Sequence, residues 1–321
     1  MIRKILKLTV VLTLFLVLLQ SLQPNVRFLN RCRSDNYSLF RTPIAPNPHP
    51  FQFILNPVNL CRSHETPVVL ALVHSDPDNW QQRKFIRSSW GSAKNLSLVT
   101  AFLLGYRNES VQRRLEEENR LYGDLIQENF TDHYENLTYK SVMMLKWTAV
   151  YCSQAEFLLK TDDDVFVNPF SLIFHLNLIN AGSNSILCYM WDEPLISRDP
   201  KNKWYAPKSD RRFEKNLCYP IYCSGTGYLL TQDLVQPLLT ESLKTAFFRL
   251  EDVYITGLLP LNLNPNYVDI SDLFVTASNV RRQLWKLRRP YSKAVAHLAN
   301  QIDSNTEFEL WDHIRLTQEK V

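Results

Sequence analysis

The segment running Glu156-Phe157-Leu158-Leu159-Lys160-Thr161-Asp162-Asp163-Asp164-Val165-Phe166-Val167-Asn168 constrains the fold of this chain more than any other. An apolar run that reads as a buried strand ends in three adjacent carboxylates, and Val165-Phe166-Val167 resumes at once. Like charges crowded at a strand end repel one another and resist desolvation, so a fold that keeps them there is expected to supply a cation. Oxygen ligands favour Mg²⁺ or Mn²⁺ over zinc, and such ions keep coordination positions open for phosphates. The pattern therefore points to a metal and diphosphate site at the carboxyl end of a strand, where open α/β sheets place their ligands. An acidic turn capping the next helix is the competing reading.

The flanking segments fit an α/β order. Val68 to Val73 reads as a strand that ends in the turn-rich His74-Ser75-Asp76-Pro77-Asp78-Asn79. Arg83 and Arg87 then lie four apart on one side of a helix, where they can meet a nucleotide or a structural carboxylate. Leu98 to Leu104 and Asp124 to Phe130 read as strands, and Val111 to Tyr122 as a charged surface helix. Tyr139 to Cys152 places Val142, Met144, Leu145, Trp147 and Val150 at helical spacing and predicts core packing. Pro169 to Ile179 suits a helix with Pro in its first turn. Only seven glycines occur, and two of them, Gly225 and Gly227, sit in Ser224-Gly225-Thr226-Gly227. Glycine admits close approach of a sugar or phosphate there, or else marks a bend. The missing third glycine excludes a dinucleotide fingerprint. Glu251-Asp252, between Phe247-Phe248 and Val253-Tyr254, is a second acidic site. Partial burial suits it to general-base work, and a helix N-cap is the alternative. Trp285 is read as packing.

The N-terminus suggests membrane attachment. Residues 1–7 form a basic tail, 8–22 an apolar segment read as an uncleaved signal anchor, 23–66 a Pro-rich luminal stem, and 67–321 the folded domain. A cleaved signal peptide competes, but no small-x-small cleavage site occurs near Gln20 to Gln23. Sequons at Asn36, Asn95, Asn108, Asn129 and Asn136 and an even set of six cysteines fit an oxidising lumen. Those cysteines allow about 15 pairings, and their spacing matches no zinc motif. A net charge of +4 without a recognition motif gives no ground for nucleic acid as a partner. The densest basic cluster, Arg281, Arg282, Lys286, Arg288 and Arg289, reads as a solvated face.

Taken in order, these motifs resemble the β-1,3-galactosyltransferase family, which includes β-1,3-N-acetylglucosaminyltransferases. The resemblance rests on Arg83 to Gly91, Glu135 to Lys140 leading to Trp147 and Cys152, Lys160 to Asn168, Lys203-Trp204-Tyr205, Tyr219 to Tyr228, and Glu251 to Gly257. It implies an α/β fold of GT-A type, with a mostly parallel central sheet flanked by helices behind a transmembrane helix and stem. It also implies a UDP-sugar donor, Mn²⁺ or Mg²⁺, inversion at the anomeric carbon, a glycan acceptor on protein or lipid, and single-pass type II residence in the Golgi membrane. Carried over by position, Asp164 binds the metal with Asp162 beside it, and Asp162 and Asp163 hold ribose or metal-bound water. Asp252 is the base, and Glu251 orients it or the acceptor. Ser224 to Gly227 face the donor sugar, with Arg83, Arg87, Lys203 and Trp204 also on the substrate side. Two departures stand out: relatives carry a histidine after the second acidic motif that can complete the metal shell, whereas Asp272 to Asn279 holds none and His297 and His313 are the only histidines beyond Asp252, and no cysteine follows Cys223 although relatives often have one. A relict that only binds ligand is thus an alternative to a hexosyltransferase moving galactose, N-acetylglucosamine or N-acetylgalactosamine.

Overall fold

The computed structural model describes residues 49–62, 67–93, 96–207, 210, 214, 216–276, 280–289, 291–297 and 304–318. The expected tail and anchor, Asn36, Cys32 and Asn95 lie outside them. No helix among the described residues is long and apolar enough to cross a membrane.

In chain order the elements are β1 (Phe53–Leu55), β2 (Val69–His74), α1 (Trp80–Ser88), β3 (Leu98–Tyr106), α2 (Glu109–Tyr122), β4 (Leu125–Thr131), α3 (Leu137–Tyr151), β5 (Phe157–Asp162) and β6 (Val165–Val167). There follow α4 (Pro169–Leu178), β7 (Ser185–Trp191), β8 (Tyr222–Thr231), α5 (Gln232–Ser242), the turn α6 (Glu251–Val253), β9 (Asn266–Asp269), β10 (Phe274–Val275), α7 (Val280–Leu287), β11 (Val295–His297) and α8 (Ser304–Gln318). Local chemistry sets several ends. Asn108 caps α2 by accepting the Val111 N–H, and Gly123 closes that helix at φ 64°. Asn168 accepts the Ser171 N–H at the start of α4, with Pro169 in the first turn.

The described residues divide into two compact units, one within Glu193–Pro220 and one made of 49–192 together with those after 220. In the first, the described residues 193–207 and 216–220 are joined by bridges Leu195 to Cys218 and Ser197 to Tyr205, and Arg198 donates to the carbonyls of Ala206 and Asn216. Lys203 and Trp204 belong here, with the ammonium 4.7 Å from the centre of an indole that is 53% exposed.

The second unit is built on a sheet in the order β1-β4-β3-β2-β5-β8-β7-β9. The sheet is mixed rather than mostly parallel. Parallel pairing joins β4, β3, β2 and β5, and also β7 to β9, while β1, β8 and the β7–β8 ladder are antiparallel. All six residues of β2 are buried, as expected for a central strand covered on both faces. A smaller sheet, β10-β11-β6, lies beside it, with Val165 opposite His297.

Three further expectations need correction. The folded domain begins before residue 67: β1 pairs with β4, Cys61 is bonded to Cys152, and buried His49 meets Glu128 at 2.6 Å. A three-residue edge strand among prolines has no periodicity to announce it. Val150 is 65% exposed, whereas Val142, Met144, Leu145 and Trp147 are fully buried, because the helix has turned its face by the last turn. Trp285 is exposed as well, and the Arg289 guanidinium stacks on it at 4.4 Å.

Candidate active site

The carboxyl end of β5, the glycines of β8 and the turn α6 meet at one ammonium group. Lys160, buried on β5, donates from Nζ to Asp162 Oδ1 at 2.8 Å and to the Gly225 carbonyl at 2.7 Å, and pairs with Glu251 Oε1 at 2.8 Å. Burial alone would lower its proton affinity, but Asp162 and Glu251 outweigh that and raise it. The two acidic motifs, distant in sequence, therefore share one counter-ion.

The carboxylates of the triplet have different surroundings. Asp163 Oδ2 accepts from Ser75 Oγ at 2.7 Å and Asn79 Nδ2 at 3.0 Å, so it is tied to the loop after β2. Asp162 turns one oxygen to Lys160, and Asp164, with 38% of its side chain exposed, lies 3.2 Å from His297 Nε2. In the sequence His297 and His313 are the two histidines beyond Asp252, and nothing there says which of them meets the triplet. His297 sits 133 positions from Asp164 and reaches it only through the β6–β11 ladder. Its one signal is a place in the short apolar run Ala294-Val295-Ala296-His297. An imidazole thus stands beside Asp164 although Asp272 to Asn279 holds none.

Glu251 and Asp252 also differ. Glu251 is buried, and its Oε2 accepts from Ser141 Oγ at 2.9 Å and Tyr228 Oη at 3.3 Å. With Lys160 on its other oxygen, it is fully engaged. Asp252 is half-buried and accepts the Val253 N–H at 2.8 Å. Burial first, and the charge of Glu251 second, push its carboxyl up to about 7. A carboxylate with that proton affinity suits a general base near neutral pH. Tyr134, half exposed, stands in the field of the same groups: burial and then Asp252 raise its phenol.

Gly225 and Gly227 lie within β8, where Ser224 Oγ donates to Thr226 Oγ1 and Thr161 Oγ1 donates to the Thr226 carbonyl. Cys188–Cys223 fastens this strand to β7, and no described cysteine is free. Arg83 and Arg87 have carboxylate partners. Arg83 pairs with Glu118 at 2.7 Å, and Arg87 pairs with Glu118 and Asp124, each at 2.7 Å, which is the structural salt-bridge reading. Among the sequons, the Asn108 side chain is used as a cap, Asn129 is exposed on β4, and Asn136 Nδ2 donates to the Thr131 carbonyl.

A family model described as Galactosyltransferase matches residues 81–270, more than half of the chain. The chain belongs to the galactosyltransferase family. Within that family it is 35% identical over 216 residues to mouse Beta-1,3-galactosyltransferase 1, covering 65% of this chain and 64% of that one. Human Beta-1,3-galactosyltransferase 2 is 34% identical over 218 residues, covering 65% and 51% respectively. The matched stretch thus spans less than two thirds of these relatives. Solved structures with some similarity include the WbbM bifunctional glycosyltransferase, with TM-score 0.40 and 12% identity over 73% of this chain and 46% of that one. The galactosyltransferase LgtC with donor and acceptor sugar analogues gives TM-score 0.38 and 13% identity over 71% and 86%. The match of this galactosyltransferase-family chain to the family model includes Arg83, Arg87, the aspartate triplet, Gly225 and the pair Glu251-Asp252.

Proposed function

We propose that this chain is an inverting, metal-dependent β-1,3-hexosyltransferase of GT-A type. It moves a sugar, with galactose expected first, from a UDP donor to a glycan hydroxyl on protein or lipid in the Golgi lumen, behind the type II anchor read from residues 8–22. The observation that supports this best is the meeting of both acidic motifs at Lys160, which sets a carboxylate of high proton affinity beside the aspartate triplet. Asp252 takes the proton of the acceptor hydroxyl as that oxygen attacks the anomeric carbon from the face opposite the departing UDP. Glu251, saturated with donors, holds the turn that carries Asp252.

The donor set near the triplet fits a hard divalent ion. Ligands about 2.1 Å from an ion in neighbouring octahedral positions stand roughly 3.0 Å apart, close to the separation of Asp164 Oδ2 and His297 Nε2. No cluster of three or more His, Cys, Asp or Glu able to hold a metal occurs among the described residues, and ions that also bind substrate phosphates use few protein ligands. Asp164 and His297 would hold Mn²⁺ or Mg²⁺, with Asp162 alongside, and the ion would offset charge on the leaving diphosphate. The imidazole beside Asp164 supports the enzyme reading over a relict.

The deciding experiment incubates the purified luminal domain with a panel of UDP-hexoses, a β-linked acceptor and Mn²⁺. Turnover with one donor is expected, and neither transfer nor UDP release with any donor would overturn the assignment. Asp164→Ala should weaken Mn²⁺-dependent UDP binding at least about tenfold by calorimetry. Binding unchanged across a Mn²⁺ titration would refute direct ligation.

Gly225→Ala tests the packing against the base. An added methyl would lie 3.3 Å from Asp252 Oδ2 and 3.5 Å from Glu251 Oε1, so the carboxylate has to give by a few tenths of an ångström. Turnover is expected to fall about tenfold, since small misplacements of a reacting group are costly, while the melting temperature holds. Wild-type turnover would show that the contact does not set the base.

A further inference from the structure

Lys160 has a bonding pattern that charge neutralisation alone does not require. An ammonium has three N–H donors. Those of Lys160 go to three different parts of the site: Asp162 at the end of β5, the Gly225 carbonyl on β8, and Glu251 on the turn α6. The side chain is 2% exposed, so no water competes for them. Two of the partners are charged, and the third, the Gly225 carbonyl, satisfies the last buried N–H with a backbone group of the glycine strand. That third contact ties the backbone of the glycine strand to both acidic motifs. The tie works in two directions, because Gly225 also packs against the Asp252 carboxylate, so closely that a Cβ added there would lie 3.3 Å from Oδ2. Glu251 is further fixed by Ser141 from α3 and Tyr228 from β8, so the turn bearing Asp252 is anchored to both elements through its neighbour.

We infer that Lys160 is a positioning residue that sets the distance between the donor-side aspartates and the base Asp252, so that acceptor attack is coupled to departure of UDP. This rests on the transferase reading above. It separates Lys160 from the residues that touch substrate: removing it should spare donor binding and spoil the alignment of the two reactants, where an ångström of error costs about a hundredfold.

Lys160→Met alone strands the buried Glu251 carboxylate and is expected to yield little folded protein. The informative variant is therefore Lys160→Met with Glu251→Gln, which removes one charge of each sign and leaves an amide to meet Ser141 and Tyr228. Glu251→Gln alone is the reference, and Lys160→Gln with Glu251→Gln is the substitute if the methionine pair is unstable. Three quantities are read for each: UDP affinity with Mn²⁺, the turnover number for transfer from the donor that the wild type uses, and UDP released without sugar reaching the acceptor. Relative to Glu251→Gln, the double variant should bind UDP within about threefold, transfer about a hundredfold more slowly, and release a larger share of UDP by hydrolysis. Transfer and hydrolysis shares equal to those of Glu251→Gln would reduce Lys160 to a counter-ion and overturn the inference. Loss of UDP affinity in step with turnover would overturn it too, by making Lys160 part of donor binding. A wild type that neither transfers nor hydrolyses any UDP-hexose would instead overturn the function itself, and this role with it.

Discussion

Asp252→Asn is expected to lower transfer by about a thousandfold, within the range by which a positioned base accelerates proton transfer, while UDP binding with Mn²⁺ stays near the wild-type value. The amide keeps the shape of the carboxylate but cannot take a proton. The half-buried position beside Glu251 gives the variant a second signature. Because the folded protein holds the proton on Asp252 up to about pH 7, well above the ordinary carboxylate range, ionising it works against the fold. That penalty is absent at pH values below the unfolded pKa and grows as pH rises toward the folded one. At pH 8 the wild type carries it in full and the variant does not, so Asp252→Asn should melt no lower than the wild type. The same shift fixes the pH profile. Wild-type kcat/KM should fall tenfold per unit as pH drops below about 7 and level off above. A variant with wild-type turnover, or a wild-type profile flat from pH 5 to 8, would remove Asp252 from the role of base.

The parts of this site that could be read in the sequence are those built on short, local patterns. The apolar run into Asp162-Asp163-Asp164 announces a strand end because burial and charge change within one residue, and β5 ends at Asp162. Gly225 and Gly227 stand out because glycine is scarce, and Glu251-Asp252 because aromatic and aliphatic residues flank it. What remained hidden depends on long-range pairing. His297 reaches Asp164 only because a three-residue strand joins a second small sheet, and three residues carry no period. Lys160 reads as one more residue of a strand, since its value as a junction depends on where β8 and α6 come to rest. β1 was concealed in a Pro-rich stretch for the same reason. Exposure of Val150 shows the converse limit: helical spacing picks a face, but the neighbours decide how far along the helix that face stays covered.

The two readings that the sequence allows for Arg83 predict different outcomes, and stability separates them. Its side chain is fully buried, and the guanidinium donates to both oxygens of Glu118, at 2.8 and 2.7 Å, to Ser75 Oγ at 3.0 Å, and to the carbonyls of Asp76 at 2.7 Å and Pro77 at 3.2 Å. Every donor of the fork is used, and the carbonyls belong to the loop whose Ser75 and Asn79 hold Asp163. Arg83→Met would leave these acceptors without their donor and Glu118 with Arg87 alone. Breaking a buried pair in this way costs about 3 to 5 kcal/mol, which for a domain of this size lowers the melting temperature on the order of 10 °C. Arg83→Lys should recover little of it, because a single ammonium cannot span a planar fork with five donors. Melting within about 2 °C of the wild type, together with weakened UDP binding, would transfer Arg83 from the scaffold to the substrate side. The expected result is the reverse: a large loss of stability, with donor affinity per folded molecule changed only as far as the loosened loop lets Asp163 drift.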